Sequence, residues 1–165
     1  MKKVLSFVAI LSVLFFCGCE KQEQNQNKGS EEKKDAVATL VCTKTIEEDG
    51  EKETDTFEIT SKNNIVKKVT NSSTAEVDES MIDLMISLSE SMVKAYNEVD
   101  GMEASVTKEG SNAFKVSITV DYDTFNVEQA KEKLGDDFDG EDFAEEKNMT
   151  VDEFVKKNAE GYECK

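Results

Sequence analysis

The sequence has no histidine, no proline and no tryptophan, and all 20 of its basic residues are lysine, so it has no arginine either. Without histidine there is no imidazole base for a Ser-His-Asp or Cys-His nucleophile, and none to ligate zinc, copper or haem iron. Without arginine there is no bidentate guanidinium clamp for phosphate or carboxylate. Positive charge is scarce as well: 36 acidic residues against 20 lysines leave a formal charge of −16. That is the wrong sign for nucleic acid, whose binding rests on cations displacing phosphate counterions. What remains is a chain of 165 residues, 38% apolar and 34% charged, a size and balance that suit one globular domain. The expectation is a non-enzymatic protein with no resident cofactor or metal and no nucleic-acid partner.

The N-terminus is the most informative stretch. Lys2 and Lys3 precede an unbroken run of apolar residues and serine from Val4 to Phe16. As a helix this run would span about 20 Å, too short for a hydrocarbon core of roughly 30 Å, so it reads as the apolar region of a cleavable signal peptide. Phe16-Cys17-Gly18-Cys19 and the polar Glu20-Lys21-Gln22-Glu23 follow. A small residue before a cysteine at the end of such a run resembles the bacterial lipoprotein signal. That pattern implies cleavage of residues 1–18, lipid on the Cys19 sulfur and attachment to the extracytoplasmic face of the bacterial cell membrane. Cys17 fits less well, because bulky Phe16 precedes it. The plainer alternative is a secreted protein with a stray cysteine. Lipid chains contribute about 0.8 kcal/mol per buried methylene, and two or more anchor stably without a basic patch.

From Glu20 to Asp35 there is no aliphatic or aromatic residue, only Gln, Asn, Lys, Glu, Gly, Ser and Asp. Such a segment cannot bury enough apolar surface to offset chain entropy, and 19–35 reads as a lipidated, disordered tether. From residue 36 the pattern changes, and 36–165 reads as one domain. Val37–Thr45, Lys52–Thr60 and Ile65–Thr70 have the β-formers of three strands, with Asp55, Phe57 and Ile59 on one face; Glu48-Asp49-Gly50 and Ser61-Lys62-Asn63-Asn64 supply the turns. Glu76–Val99 reads as a long helix with a stripe of Met81, Met85, Leu88, Met92, Tyr96 and Val99. Met102, Ala104 and Val106 alternate as a fourth strand. Phe114, Val116, Ile118, Val120 and Tyr122 form the apolar face of a fifth. Val127, Ala130 and Leu134 mark a helix stopped by Gly135. Thr150 with Glu153 is a capping box for a last helix with Val151, Phe154, Val155, Asn158 and Ala159 on one side and Gly161 as its stop. The expected class is α+β: an antiparallel sheet of about five strands, made of a three-strand meander, a long helix and two more strands, with C-terminal helices packed on one face.

With residues 1–18 removed and Cys19 lipidated, Cys42 and Cys164 remain. An even pair beyond the membrane suggests a disulfide tying the first strand to the C-terminal end. A redox pair lacks Cys-x-x-Cys spacing, and two free thiols are the other alternative.

The sharpest chemical lead is Gly135-Asp136-Asp137-Phe138-Asp139-Gly140 with Glu146 beyond it. Set against an EF-hand loop, Asp137, Asp139, Gly140 and Glu146 fall at positions 3, 5, 6 and 12, while position 1 is Gly135, which carries no ligand. A solvated acidic turn between two helices explains the same residues, and no metal ligand is assigned. Met81, Met85 and Met92 could offer thioethers to copper(I), but their stripe suits a helix core better. A catalytic carboxylate pair cannot be picked from 36 acids by position alone.

The layout as a whole is similar to one family. A lipoprotein signal and polar tether lead to Thr39-Leu40-Val41-Cys42-Thr43, then a meander, a long helix and two strands, and the chain closes on Gly161-Tyr162-Glu163-Cys164-Lys165. This resembles the YehR-like family of small bacterial lipoproteins over residues 36–165. The resemblance implies an α+β fold and a surface location and carries no active site. Three functions fit: an envelope lipoprotein binding another protein or a wall component, a module for calcium or a small solute, and, last, a carboxylate hydrolase.

Overall fold

Alternating side chains from Val37 to Glu76 build three twelve-residue strands, β1 (Val37–Glu48), β2 (Glu51–Lys62) and β3 (Ile65–Glu76), paired as an antiparallel meander. The structure is a computed structural model and describes residues 36–48, 51–135, 138 and 140–165. The first expected turn falls on Asp49 and Gly50, outside the described residues. The second is a two-residue connection in which Asn63 and Asn64 both take positive φ, 53° and 64°. That conformation suits the right-handed strand twist, and asparagine tolerates it better than most residues.

After β3 come α1 (Ile82–Tyr96), β4 (Met102–Glu109) and β5 (Ala113–Asp121). Three short helices follow, α2 (Val127–Leu134), α3 (Gly140–Glu146) and α4 (Val151–Asn158), and then the two-residue strand β6 (Glu163–Cys164). The sheet runs β4-β5-β3-β2-β1-β6 with every pair antiparallel. The α+β class is as expected, with one strand more, because β6 is too short to leave a pattern in sequence. Among the described residues no helix is long and apolar enough to cross a membrane.

Paired residues of antiparallel strands share a face. Leu40, Cys42, Phe57, Ile59, Val69, Val116 and Val120 therefore point to one side, where Met102, Tyr122, Val99, Ala130, Phe154 and Ala159 complete the core. A bulge sets Lys67 out of register, since Thr60 faces Lys68 while Ser61 faces Val66, so that Val66 and Val69 both turn inward. The Lys67 carbonyl freed there accepts the Tyr122 N–H at 2.9 Å. Gly101 leads into β4 with φ 82°, and a Cβ there would lie 2.4 Å from the Phe125 backbone, so both conformation and space require glycine.

Two sequence expectations shift. The helix begins at Ile82, because β3 continues to Glu76. Its buried side is also turned: Ile82 and Ser89 are buried, whereas Leu84 and Leu88 are 51% and 59% exposed. Ile82, Met85, Ser89, Met92 and Tyr96 satisfy the same three-and-four spacing as the expected stripe. Ser89 can take a buried place because its hydroxyl donates to the Met85 carbonyl at 2.9 Å. Met81, Met85 and Met92 are half-buried.

Candidate functional site

The structure joins Cys42, fully buried in the central part of β1, to the exposed Cys164 of β6. Val41 and Lys165 exchange two backbone hydrogen bonds beside it, at 3.1 and 2.9 Å. This closure holds Tyr162 against Phe57, ring centres 5.4 Å apart, and Phe154 meets the same ring at 6.1 Å. Cys19 lies outside the described residues, so its lipidation is not a matter of this geometry.

Asp137 and Asp139 also lie outside the described residues, but Glu146 does not, and it corrects the reading of a solvated acidic turn. Residues 140–146 form helix α3, and Glu146 at its end is only 9% exposed. The Tyr122 hydroxyl donates to its Oε2 at 2.6 Å and Asn158 Nδ2 donates to its Oε1 at 3.0 Å. Both oxygens thus accept a hydrogen bond within the core. Burial raises the Glu146 carboxyl above its ordinary range, against the opposing pull of Tyr122, Asn158 and Lys157. Burial and the Glu146 charge hold the Tyr122 phenol far up. Lys157 bonds Asp142 at 2.8 Å and Glu145 at 3.2 Å; these partners keep its ammonium above the usual range although burial works against it. The arrangement ties α3 and α4 to the end of β5, and Asn158, a polar interruption in an apolar stripe, is explained by it. Among the described residues no three His, Cys, Asp or Glu side chains are placed to hold a metal ion.

A second polar cluster sits on the same face of the sheet, at the β1–β2–β3 end. Ser73 donates to Glu53 Oε1 at 2.7 Å and lies opposite Asp55 in the ladder, and Lys44 lies opposite Asp55 on the other side. Lys44 Nζ is 5.7 Å from the centre of the Tyr162 ring. Partial burial raises both carboxyls, with the Ser73 hydroxyl opposing it in each. Burial, then Asp55 and Glu53, pushes the Tyr162 phenol up to about 12. Two carboxylates, a hydroxyl, a phenol and an ammonium can together hold a small polar or cationic group. The signal was present in the sequence: Asp55 shares one face of its strand with Phe57 and Ile59.

Among the described residues, the opposite face is lined with hydroxyls. One ladder row reads Thr43, Thr56, Ser72, Ser117, Ser105 across five strands, and its neighbour reads Thr45, Thr54, Thr74, Lys115, Thr107. Cross-strand hydroxyls pair: Thr70 with Thr119 and Ser72 with Ser117 at 2.8 Å, and Thr45 with Thr54 at 3.2 Å. Thr and Ser alternation in each strand was legible. The row was not, because it depends on the order of strands.

No protein-family model matches the chain, and neither does any curated protein sequence. Two solved structures share its fold. A protein from Streptococcus pneumoniae TIGR4, solved by NMR, is 12% identical with a TM-score of 0.56, over 92% of this chain and 98% of that one. The YehR protein of E. coli, also solved by NMR, is 16% identical with a TM-score of 0.54, over 79% of this chain and 91% of that one. At these identities the likeness is one of fold. The chain has a YehR-like fold, and the resemblance seen in its sequence holds at that level.

Proposed function

We propose that the chain is an extracytoplasmic lipoprotein, held to the bacterial cell membrane through lipid on Cys19, whose domain is a non-enzymatic binding module of the cell envelope. The observation that carries this reading is the disulfide between Cys42 and Cys164, a bond that persists in oxidising compartments and is rare in the cytosol. The open hydroxyl face supports the binding half of the reading. Its charged members, Lys52, Lys62, Lys68 and Lys115 against Glu47, Glu58, Glu76, Glu103, Glu109 and Asp121, leave a balance of −2 in a chain of net charge −16. A hydroxyl-lined face on which lysines offset most of the acids suits a wall component rich in hydroxyl groups, which the more acidic remainder of the surface would not attract.

Cells grown with a tagged palmitate analogue test the anchor. The full chain takes up the label and a Cys19→Ala variant does not; an unlabelled wild type, or a labelled variant, defeats the lipoprotein reading. Retention on isolated cell wall tests the face. Thr56→Glu with Thr119→Glu abolishes retention while the melting temperature confirms the fold, and unchanged retention excludes that face.

A module for a small solute is the second reading, favoured by the cluster of Glu53, Asp55 and Ser73. A cationic solute at a hundred times its dissociation constant would stabilise the domain by about 2.7 kcal/mol, and Asp55→Asn would abolish that shift.

A further inference from the structure

We propose that the exposed flank of α1 around Leu84 and Leu88 is a docking surface for a basic amphipathic helix of a partner protein. The flank lies on the helix-bearing side of the sheet, away from the hydroxyl rows, and its role does not depend on theirs. Met81, Leu84, Met85 and Leu88 recur at the three-and-four spacing that puts side chains in one stripe along a helix. Leu84 and Leu88 are exposed and stand one turn apart. Met81 and Met85 are half-buried, between those leucines and the buried Ile82 and Ser89.

Contacts on the other flank fix which way the stripe looks. Lys108 donates to Asp83 at 3.2 Å and Asn97 pairs with Ala104, so that side of α1 is turned to β4, the edge strand. Ile82 and Ser89 face the sheet, which leaves the stripe on the flank toward β3 and β2. Lys108 shares a ladder row with Phe114, Ala75 and Glu53, and the next row on this face holds Val116, Ser73 and Asp55. In front of the stripe the floor therefore passes from the buried Phe114 and Ala75 to two carboxylates. Asp78 and Glu79, which lead into the helix, are exposed at the same end.

Charge selects the occupant. A stripe of leucine and methionine bordered by Glu53, Asp55, Asp78 and Glu79 fits a ligand that is apolar on one side and cationic beside it. Lys44, opposite Asp55 in the ladder, offsets one of these charges and leaves the group acidic. A basic amphipathic helix carries both features at the spacing of the stripe. Methionine, unbranched and polarisable, adapts its side chain to such a partner. A second copy would bring the same four acids against themselves in a chain of net charge −16, and an anionic lipid surface would be repelled in the same way. With a basic helix in place, leucines on its apolar side cover Leu84 and Leu88 while its lysines reach Glu53 and Asp55.

The test titrates the full chain, labelled on its methionine methyl groups, with a synthetic helix of leucine and lysine whose leucines recur at i, i+3, i+4 and i+7. A peptide of the same residues in scrambled order is the control. The NMR signals of Met81 and Met85 shift, while that of Met102, buried in the core, stays. The scrambled peptide binds roughly tenfold more weakly. Leu84→Ser with Leu88→Ser weakens binding of the amphipathic helix by about tenfold or more at unchanged net charge. Glu53→Gln with Asp55→Asn weakens it severalfold, whereas Glu58→Gln with Glu103→Gln, on the opposite face, leaves it unchanged. The melting temperature confirms the fold of each variant. No shift of Met81 and Met85, equal binding of the scrambled peptide, or wild-type affinity of the leucine variant overturns the proposal. Equal weakening by the two acid pairs does so too, because diffuse charge would then account for binding. A shift of the same signals with protein concentration alone, or with neutral lipid vesicles, assigns the flank to a second copy or to lipid and likewise overturns it.

Discussion

The side-chain amide of Asn97 pairs with the backbone of Ala104 as another strand would: Nδ2 donates to the Ala104 carbonyl at 2.9 Å and Oδ1 accepts the Ala104 N–H at 2.6 Å. Ala104 lies on β4, the strand at one end of the sheet, and Asn97 is the residue that ends α1. One side chain therefore fixes the helix against the sheet and occupies an edge position that would otherwise be open. At the other end of the sheet β6 does similar work, held by a covalent bond.

Asn97→Ala removes both bonds and leaves the Ala104 groups to water. Each exposed hydrogen bond is worth about 0.5–1.5 kcal/mol, so the loss is about 1–2 kcal/mol, a fall of several degrees in melting temperature. Hydrogen exchange separates this from a general loosening, because the Ala104 amide loses protection while amides of β2 and β3 keep theirs. An Ala104 amide that exchanges at the wild-type rate in the variant would show that the pairing contributes nothing.

Local chemistry explains what was readable beforehand. The capping box forms as expected: Thr150 Oγ1 accepts the Glu153 N–H at 3.3 Å, and Glu153 Oε2 accepts the Thr150 N–H at 2.8 Å. The alternation of Phe114, Val116 and Val120 buries the side it should. What was not readable depends on partners distant in sequence. β3 continues past Thr70 through Asn71 and Ser73, whose inward places are set by β2 and β5 and by no apolar alternation of their own. Leu88 faces outward because the sheet selects one of two equally spaced helix stripes. Glu146 is buried only because Tyr122 and Asn158, 24 and 12 residues away, converge on it.

Cys164→Ser opens a loop of 122 residues. Chain-entropy reasoning sets the loss at about 5 kcal/mol, with measured cases commonly nearer 2–4. The substitution keeps Cys42 as a buried thiol, which behaves as a small apolar group, so the core is not made polar. β6 then rests on the two Val41–Lys165 bonds and the Tyr162–Phe57 contact. Urea unfolding shows the lowered midpoint, and the amide of Val41 exchanges well before those of β2. A midpoint within 0.5 kcal/mol of wild type would mean that the unfolded chain gains nothing from release of the bond.

The buried Glu146 gives stability an uncommon dependence on pH. Its carboxyl titrates above the ordinary range in the fold because burial penalises the charge. A raised folded pKa means that folding favours the protonated form. The contribution is therefore complete below the ordinary carboxylate pKa and is lost as pH rises through the folded value, so this residue favours mildly acidic over neutral solution. Glu53 and Asp55 act in the same direction, each raised by partial burial, and only a substitution at Glu146 isolates its share. Glu146→Gln removes the charge, keeps an acceptor for the Tyr122 hydroxyl and lets the Asn158 amide turn to accept in place of donating. It raises the urea midpoint at pH 7.5 and leaves that at pH 4 nearly unchanged, flattening the profile. Glu146→Ala also removes the charge but strands Tyr122 and Asn158 inside the core, and it lowers stability by about 3 kcal/mol at both pH values. A Glu146→Gln midpoint that falls at pH 7.5 would show that the ionised carboxylate, through its bonds to Tyr122 and Asn158, stabilises the core by more than its burial costs.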